Sequence, residues 1–84
     1  MNENEVILII DDEVQIRRLL EITLNANNYR TFFASNGKDG MIAAATFNPM
    51  LVILDLGLPD IDGQELLKKL REWFSKPVIV LSVR

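Results

Sequence analysis

Apolar residues along this chain follow two rhythms. Val6-Ile7-Leu8-Ile9-Ile10, Leu51-Val52-Ile53-Leu54 and Val78-Ile79-Val80-Leu81 are unbroken and rich in β-branched side chains, the pattern of strands buried on both faces of a parallel sheet. After the first run, Ile16, Leu19, Leu20, Thr23 and Leu24 recur at helical spacing while Gln15, Arg17, Arg18 and Glu21 face outward. An amphipathic helix is predicted from Val14 to the turn-prone Asn25-Ala26-Asn27-Asn28, with Asp12 placed as its N-cap. Tyr29 to Ala34 is β-prone but less uniformly apolar, so a second, more peripheral strand fits it. Ser35-Asn36-Gly37 is turn chemistry, and Lys38 to Phe47 reads as a second helix whose run Ala43-Ala44-Ala45 predicts close packing on a sheet. Asn48-Pro49 ends it, because the residue before proline is pushed out of the helical region. Gln64 to Phe74 carries Leu66, Leu67, Leu70, Trp73 and Phe74 against Gln64, Lys68, Lys69, Arg71 and Glu72. That is a third helix with its basic residues toward the C-terminus, as the helix dipole favours, broken by Ser75-Lys76-Pro77.

The order is strand, helix, strand, helix, strand, helix, strand. Such alternation with short connections predicts an α/β fold, a parallel sheet with right-handed crossovers and helices on both faces. No repeat or linker divides residues 1–84, which read as one small domain with a marginal core.

Composition removes several chemistries. The chain has no cysteine and no histidine, which excludes disulfide staples, thiolate zinc sites, cysteine nucleophiles and any histidine-based catalytic arrangement. Its net charge of −3 argues against direct contact with nucleic acid, which calls for clustered lysine and arginine. No apolar run approaches the roughly 20 residues that span a bilayer, and the acidic start Met1-Asn2-Glu3-Asn4-Glu5 is opposite in sign to a secretory leader. A soluble, cytoplasmic chain without membrane contact is expected.

Chemistry concentrates where strands end. The first runs into Asp11-Asp12-Glu13, the third into Asp55, the fourth into Ser82, and in a parallel sheet those ends share one edge, where ligands gather in open α/β sheets. Carboxylates brought together repel one another, and a hard divalent cation relieves the repulsion. With oxygen donors alone, Mg2+ is the expected ion. A metal-neutralised aspartate there is a nucleophile toward a phosphoryl donor, and a hydroxyl such as that of Ser82 can donate to phosphoryl oxygens. The plainer roles are a turn for Asp55, turn and capping roles for Asp60 and Asp62, and a permissive backbone position for Gly63. Trp73 and Phe74 are expected to pack, and Lys68, Lys69 and Arg71 to form a solvated face, with contact to a partner protein as the alternative.

The segments Ile10-Asp11-Asp12-Glu13, Leu54-Asp55-Leu56-Gly57-Leu58-Pro59-Asp60-Ile61-Asp62-Gly63 and Val80-Leu81-Ser82-Val83-Arg84 together resemble the receiver domain of two-component response regulators. Within that family they are similar to the N-terminal part of regulators of potassium-transport operons. The resemblance covers the whole chain. It implies a flavodoxin-like (CheY-like) fold in which Asp55 accepts a phosphoryl group from a sensor histidine kinase. Asp11, Asp12 and Asp55, with the main-chain carbonyl of Gly57, would bind Mg2+, and Ser82 would be the switch hydroxyl. The module would be a phosphorylation switch rather than an ordinary enzyme, controlling transcription through a DNA-binding domain absent from these residues. A receiver continues for a further helix, strand and helix and ends that last strand on a lysine. This chain stops at Arg84, an incomplete (βα)3β, and Lys76 precedes the fourth strand and cannot stand in for that lysine. Two rivals follow: a pseudo-receiver that binds proteins without being phosphorylated, and a nucleotide-binding enzyme, which lacks a glycine-rich phosphate loop after the first strand. The apolar fourth strand, left as an edge, predicts self-association by strand pairing across a two-fold axis or by exchange of a terminal element.

Overall fold

The computed structural model describes residues 5–81, with strands β1 (Val6–Ile10), β2 (Arg30–Ala34), β3 (Leu51–Asp55) and β4 (Val78–Leu81) and helices α1 (Val14–Ala26), α2 (Gly37–Phe47) and α3 (Gly63–Arg71). The strands form one parallel sheet in the order β2-β1-β3-β4, the α/β architecture that the alternation predicts. The most apolar run lies at the centre: every residue of β1 is buried.

Alternation along the strands divides the core. Leu8, Ile10, Val52 and Leu54 face α2 and α3, where they pack with Ala44, Leu66, Leu70 and Phe74. Ile7, Ile9 and Ile53 face the other way, toward Leu20 and Leu24 of α1. Each fully buried Leu or Ile contributes about 1.5–3 kcal/mol, and the α2/α3 side holds more of them.

Three details differ from expectation. Leu19, assigned to the inner face of α1, is 62% exposed and Ile22 is 68% exposed; no residue of the helix is fully buried. The helix leans toward β2, where the Arg17 guanidinium lies 5.2 Å from the Phe33 ring centroid, and Leu19 projects about 200° round the helix from Arg17. Of the alanine run only Ala44 is buried. The close approach is made by Gly40 and Ala44, one turn apart, since a Cβ on Gly40 would meet Ile10 Cδ1 at 2.7 Å. Asn48 ends α2 as expected, leaving the right-handed helical region for the left-handed one (φ 48°, ψ 60°) with its N–H on Ala44 O, a cap geometry that asparagine tolerates. Helix α3 stops at Arg71, three residues early: the Trp73 and Phe74 amides both turn back to Leu70 O, and Arg71 Nη1 donates to the carbonyls of Phe74 and Lys76. Phe74 joins the core, while Trp73 stays 48% exposed.

Candidate functional site

Register brings the acidic residues together. Ile10 pairs with Leu54 across β1 and β3, so the next residues, Asp11 and Asp55, stand side by side at the carboxyl end of the sheet. The Asp11 N–H extends the ladder by one bond, to Ala34 O at 3.0 Å, which draws its side chain into the protein. Asp11 is only 3% exposed, Asp55 is half-buried and Asp12 exposed. One carboxylate oxygen from each of the three lies within 4.8 Å of the others.

Asp12 does not cap α1 as predicted. Glu13 holds the N-cap position with extended backbone and no side-chain bond, and it is Asp11 Oδ1 that accepts from the Glu13 N–H, at 2.8 Å. The turn is one residue longer than the sequence suggests, so Asp12 stands too early to reach the first helical amides and keeps its carboxylate at the rim. The Asp11 carboxyl has its pKa raised, chiefly by burial and further by the negative charges of Asp55, Asp12 and Glu13, against the Glu13 amide that lowers it. Clustered, like-charged oxygens with no basic partner among the described residues suit a hard divalent cation such as Mg2+, whereas nitrogen- and sulfur-seeking metals find no histidine or cysteine in the chain.

Gly57 is half-buried in the loop that follows β3. Ser82 lies outside the described residues. Gly63, expected as a conformationally permissive position, has an ordinary negative φ. Its role is space: a Cβ there would meet Leu56 Cα at 2.4 Å, and its N–H donates to Leu56 O at 3.2 Å. Asp62 caps α3 through Gln64 N at 3.3 Å, in line with its expected role. Asp60, assigned to turn and capping roles, caps a helix 22 residues earlier: Oδ1 accepts from Gly37 N at 2.7 Å and Oδ2 from Lys38 N at 3.0 Å. Both amides hold its carboxyl pKa below the usual range. No local pattern announces this contact; the one available signal is a glycine, Gly37, opening α2.

Similarity to known proteins agrees with this geometry. The family description "Response regulator receiver domain" matches residues 7–84. The chain is 50% identical over 78 residues to the KDP operon transcriptional regulatory protein KdpE of Escherichia coli, covering 93% of this chain and 35% of that protein. It is 51% identical over 79 residues to KdpE of Mycobacterium tuberculosis, again 35% of the relative. The chain thus spans about a third of the length of these transcriptional regulators. Among solved structures, the receiver domain of the Francisella response regulator 1452 superposes with a TM-score of 0.87 at 32% identity, over 93% of this chain and 65% of that one. The acidic rim, the parallel sheet and this similarity agree: the chain belongs to the response regulator receiver domain family.

Proposed function

We propose that this receiver is a phosphorylation switch in which Asp55 takes a phosphoryl group from a sensor histidine kinase, in the cytoplasm, with Mg2+ held by Asp11, Asp12, Asp55 and the Gly57 carbonyl. The observation that carries this reading is the convergence of three carboxylates within 4.8 Å at the carboxyl end of a parallel sheet. Magnesium, when bound, offsets their mutual repulsion and polarises the incoming phosphoryl group. An Asp55 carboxylate oxygen attacks phosphorus, the P–N bond of phosphohistidine breaks with its electron pair staying on the imidazole, and an acyl phosphate forms. Asp11, anchored by the Glu13 amide, and Asp12, exposed at the rim, would hold the cation. Ser82 would then donate to a phosphoryl oxygen. By analogy with the KdpE proteins, the state of Asp55 would govern transcription through a DNA-binding domain outside these residues, without direct nucleic-acid contact by this chain. No described helix is long and apolar enough to cross a membrane.

The test is intact mass after incubation with a small phosphodonor such as acetyl phosphate and Mg2+. One added phosphoryl group, absent in Asp55→Asn and in excess EDTA, is expected. A folded chain that gains nothing with Mg2+ present sinks the reading and leaves a protein-binding pseudo-receiver. We further propose that the 84-residue chain self-associates through its β4 edge, since Ile79 and Val80 there are 49% and 38% exposed.

A further inference from the structure

We infer that Asp60 is a positioning residue for the metal site, acting through the loop that carries Gly57; the inference rests on the Mg2+ reading above. Residues 57–62 form a closed loop whose ends are stapled by the Gly63 N–H on Leu56 O. The loop's outer half is held by the Asp60 carboxylate, which takes two consecutive amides, Gly37 and Lys38, at the start of α2. The seat is shaped for it. Gly37 is buried, and a Cβ there would fall 2.2 Å from Ile61 Cγ2, so the residue after Asp60 lies flat against α2. The third amide of that helix turn, Asp39 N, is taken by Asn36 Oδ1 at 2.8 Å, which leaves the first two to Asp60.

Gly57 therefore sits on a short span fixed at one end by β3 and at the other by this clasp. Releasing the clasp gives that span conformational freedom, which a cation bound by the Gly57 carbonyl then has to remove at the expense of affinity. Charge-assisted bonds to backbone amides are among the stronger hydrogen bonds available, and Asp60 makes two. Its carboxylate touches neither phosphodonor nor metal in this assignment.

The experiment is calorimetric Mg2+ titration of the wild-type chain, Asp60→Ala and Lys38→Pro, with amide hydrogen exchange on the same samples. Lys38→Pro deletes one of the two donors in a first helical turn, where proline is tolerated; Gly37 before it has no Cβ to obstruct the ring. It keeps the test available if Asp60→Ala does not fold. Mg2+ binding should weaken by about three- to tenfold in Asp60→Ala. It should weaken less in Lys38→Pro, with faster exchange at Gly37 in Asp60→Ala. The maximal acetyl phosphate labelling at saturating Mg2+ should be preserved, so that the loss lies in metal affinity. A folded Asp60→Ala with wild-type Mg2+ affinity overturns the inference while leaving the phosphoacceptor reading intact. Wild-type chain that takes no Mg2+ overturns both.

Discussion

Asp11 is the one charged side chain buried among the described residues, a carboxylate 3% exposed beside Asp55 and Asp12. Its raised pKa means that ionised Asp11 disfavours the folded metal-free chain, so that contribution to stability is present at low pH and is lost as pH rises through the folded value. Mg2+ reverses the balance by binding the folded state. At a hundredfold excess over the dissociation constant it adds about 2.7 kcal/mol. Asp11→Asn is therefore expected to melt above wild type in EDTA and to gain almost none of that increment from Mg2+, as thermal melts in both conditions would show. A variant that melts lower in EDTA and still responds fully to Mg2+ would contradict this account. Asp60 works with the opposite sign. Its pKa is lowered from 3.8 by the Gly37 and Lys38 amides, so the stability the clasp contributes is fully present above 3.8 and is lost as pH falls through the lower folded value. In melts from pH about 5 to about 2.5, wild type should lose its advantage over Asp60→Asn in the acid limb, and a constant difference would tell against the clasp. Asp55 was legible in the sequence because it follows four apolar residues. Asp60 was not, because its partners lie 22 and 23 residues away and no periodicity encodes such a contact.

Elements were readable wherever burial is nearly total, as in β1 and β3, and misread where it is partial. Helix α1 looked amphipathic with Leu19 inward, yet periodicity fixes only a face and not which strands it leans on, and Arg17 over Phe33 turns Leu19 to solvent. The junction after β3 shows what small residues do at close range. In α2, a methyl on Gly40 meets only side chain, Ile10 Cδ1 at 2.7 Å and both of its γ carbons at 3.0 Å; on Gly63 it meets Leu56 Cα at 2.4 Å and Asp55 O at 3.0 Å. The Ile10 side chain has to shift by a few tenths of an ångström, a cost that the helix propensity of alanine, about 1 kcal/mol over glycine, offsets in part. Main chain cannot move without displacing the acceptor strand itself. Gly40→Ala should fall within about 1 kcal/mol of wild type in urea unfolding, whereas Gly63→Ala should lose roughly 2–3 kcal/mol and weaken Mg2+ binding. Equal losses at the two positions would show that the α3 start is more pliable than its packing implies.

At the scale of the whole molecule the sheet has two unlike edges. On β2, Arg30 lies over Phe32 with its guanidinium 5.7 Å from the ring centroid, and Phe32 stacks on Phe47 at 3.9 Å, so charge and aromatic side chains guard the strand. On β4 the exposed side chains are Ile79 and Val80. Charged residues at sheet edges are a common defence against pairing, and β4 has none among Val78–Leu81. The hydrogen bonds fix which backbone groups are offered. Pro77 O and Leu81 O accept from Val52 of β3 and from Leu56 just after it, so residues 77, 79 and 81 point inward, and the amides of Val78 and Val80 point to the open edge. Proline at position 80 therefore removes a donor that β3 does not use, at an edge where proline is tolerated, and blocks a second copy from pairing there. The 84-residue chain should sediment as a dimer at about 100 µM, a concentration that needs only about 5.5 kcal/mol of association free energy. Val80→Pro should weaken that dimer by at least about tenfold, one lost strand bond and its distorted neighbours amounting to some 1.4 kcal/mol, while circular dichroism stays that of the folded chain. A wild-type monomer at that concentration refutes edge pairing and exchange together. A dimer indifferent to Val80→Pro refutes edge pairing alone and directs attention to the opposite face of the sheet, where Leu19 and Ile22 of α1 stand exposed on the same side as Ile79.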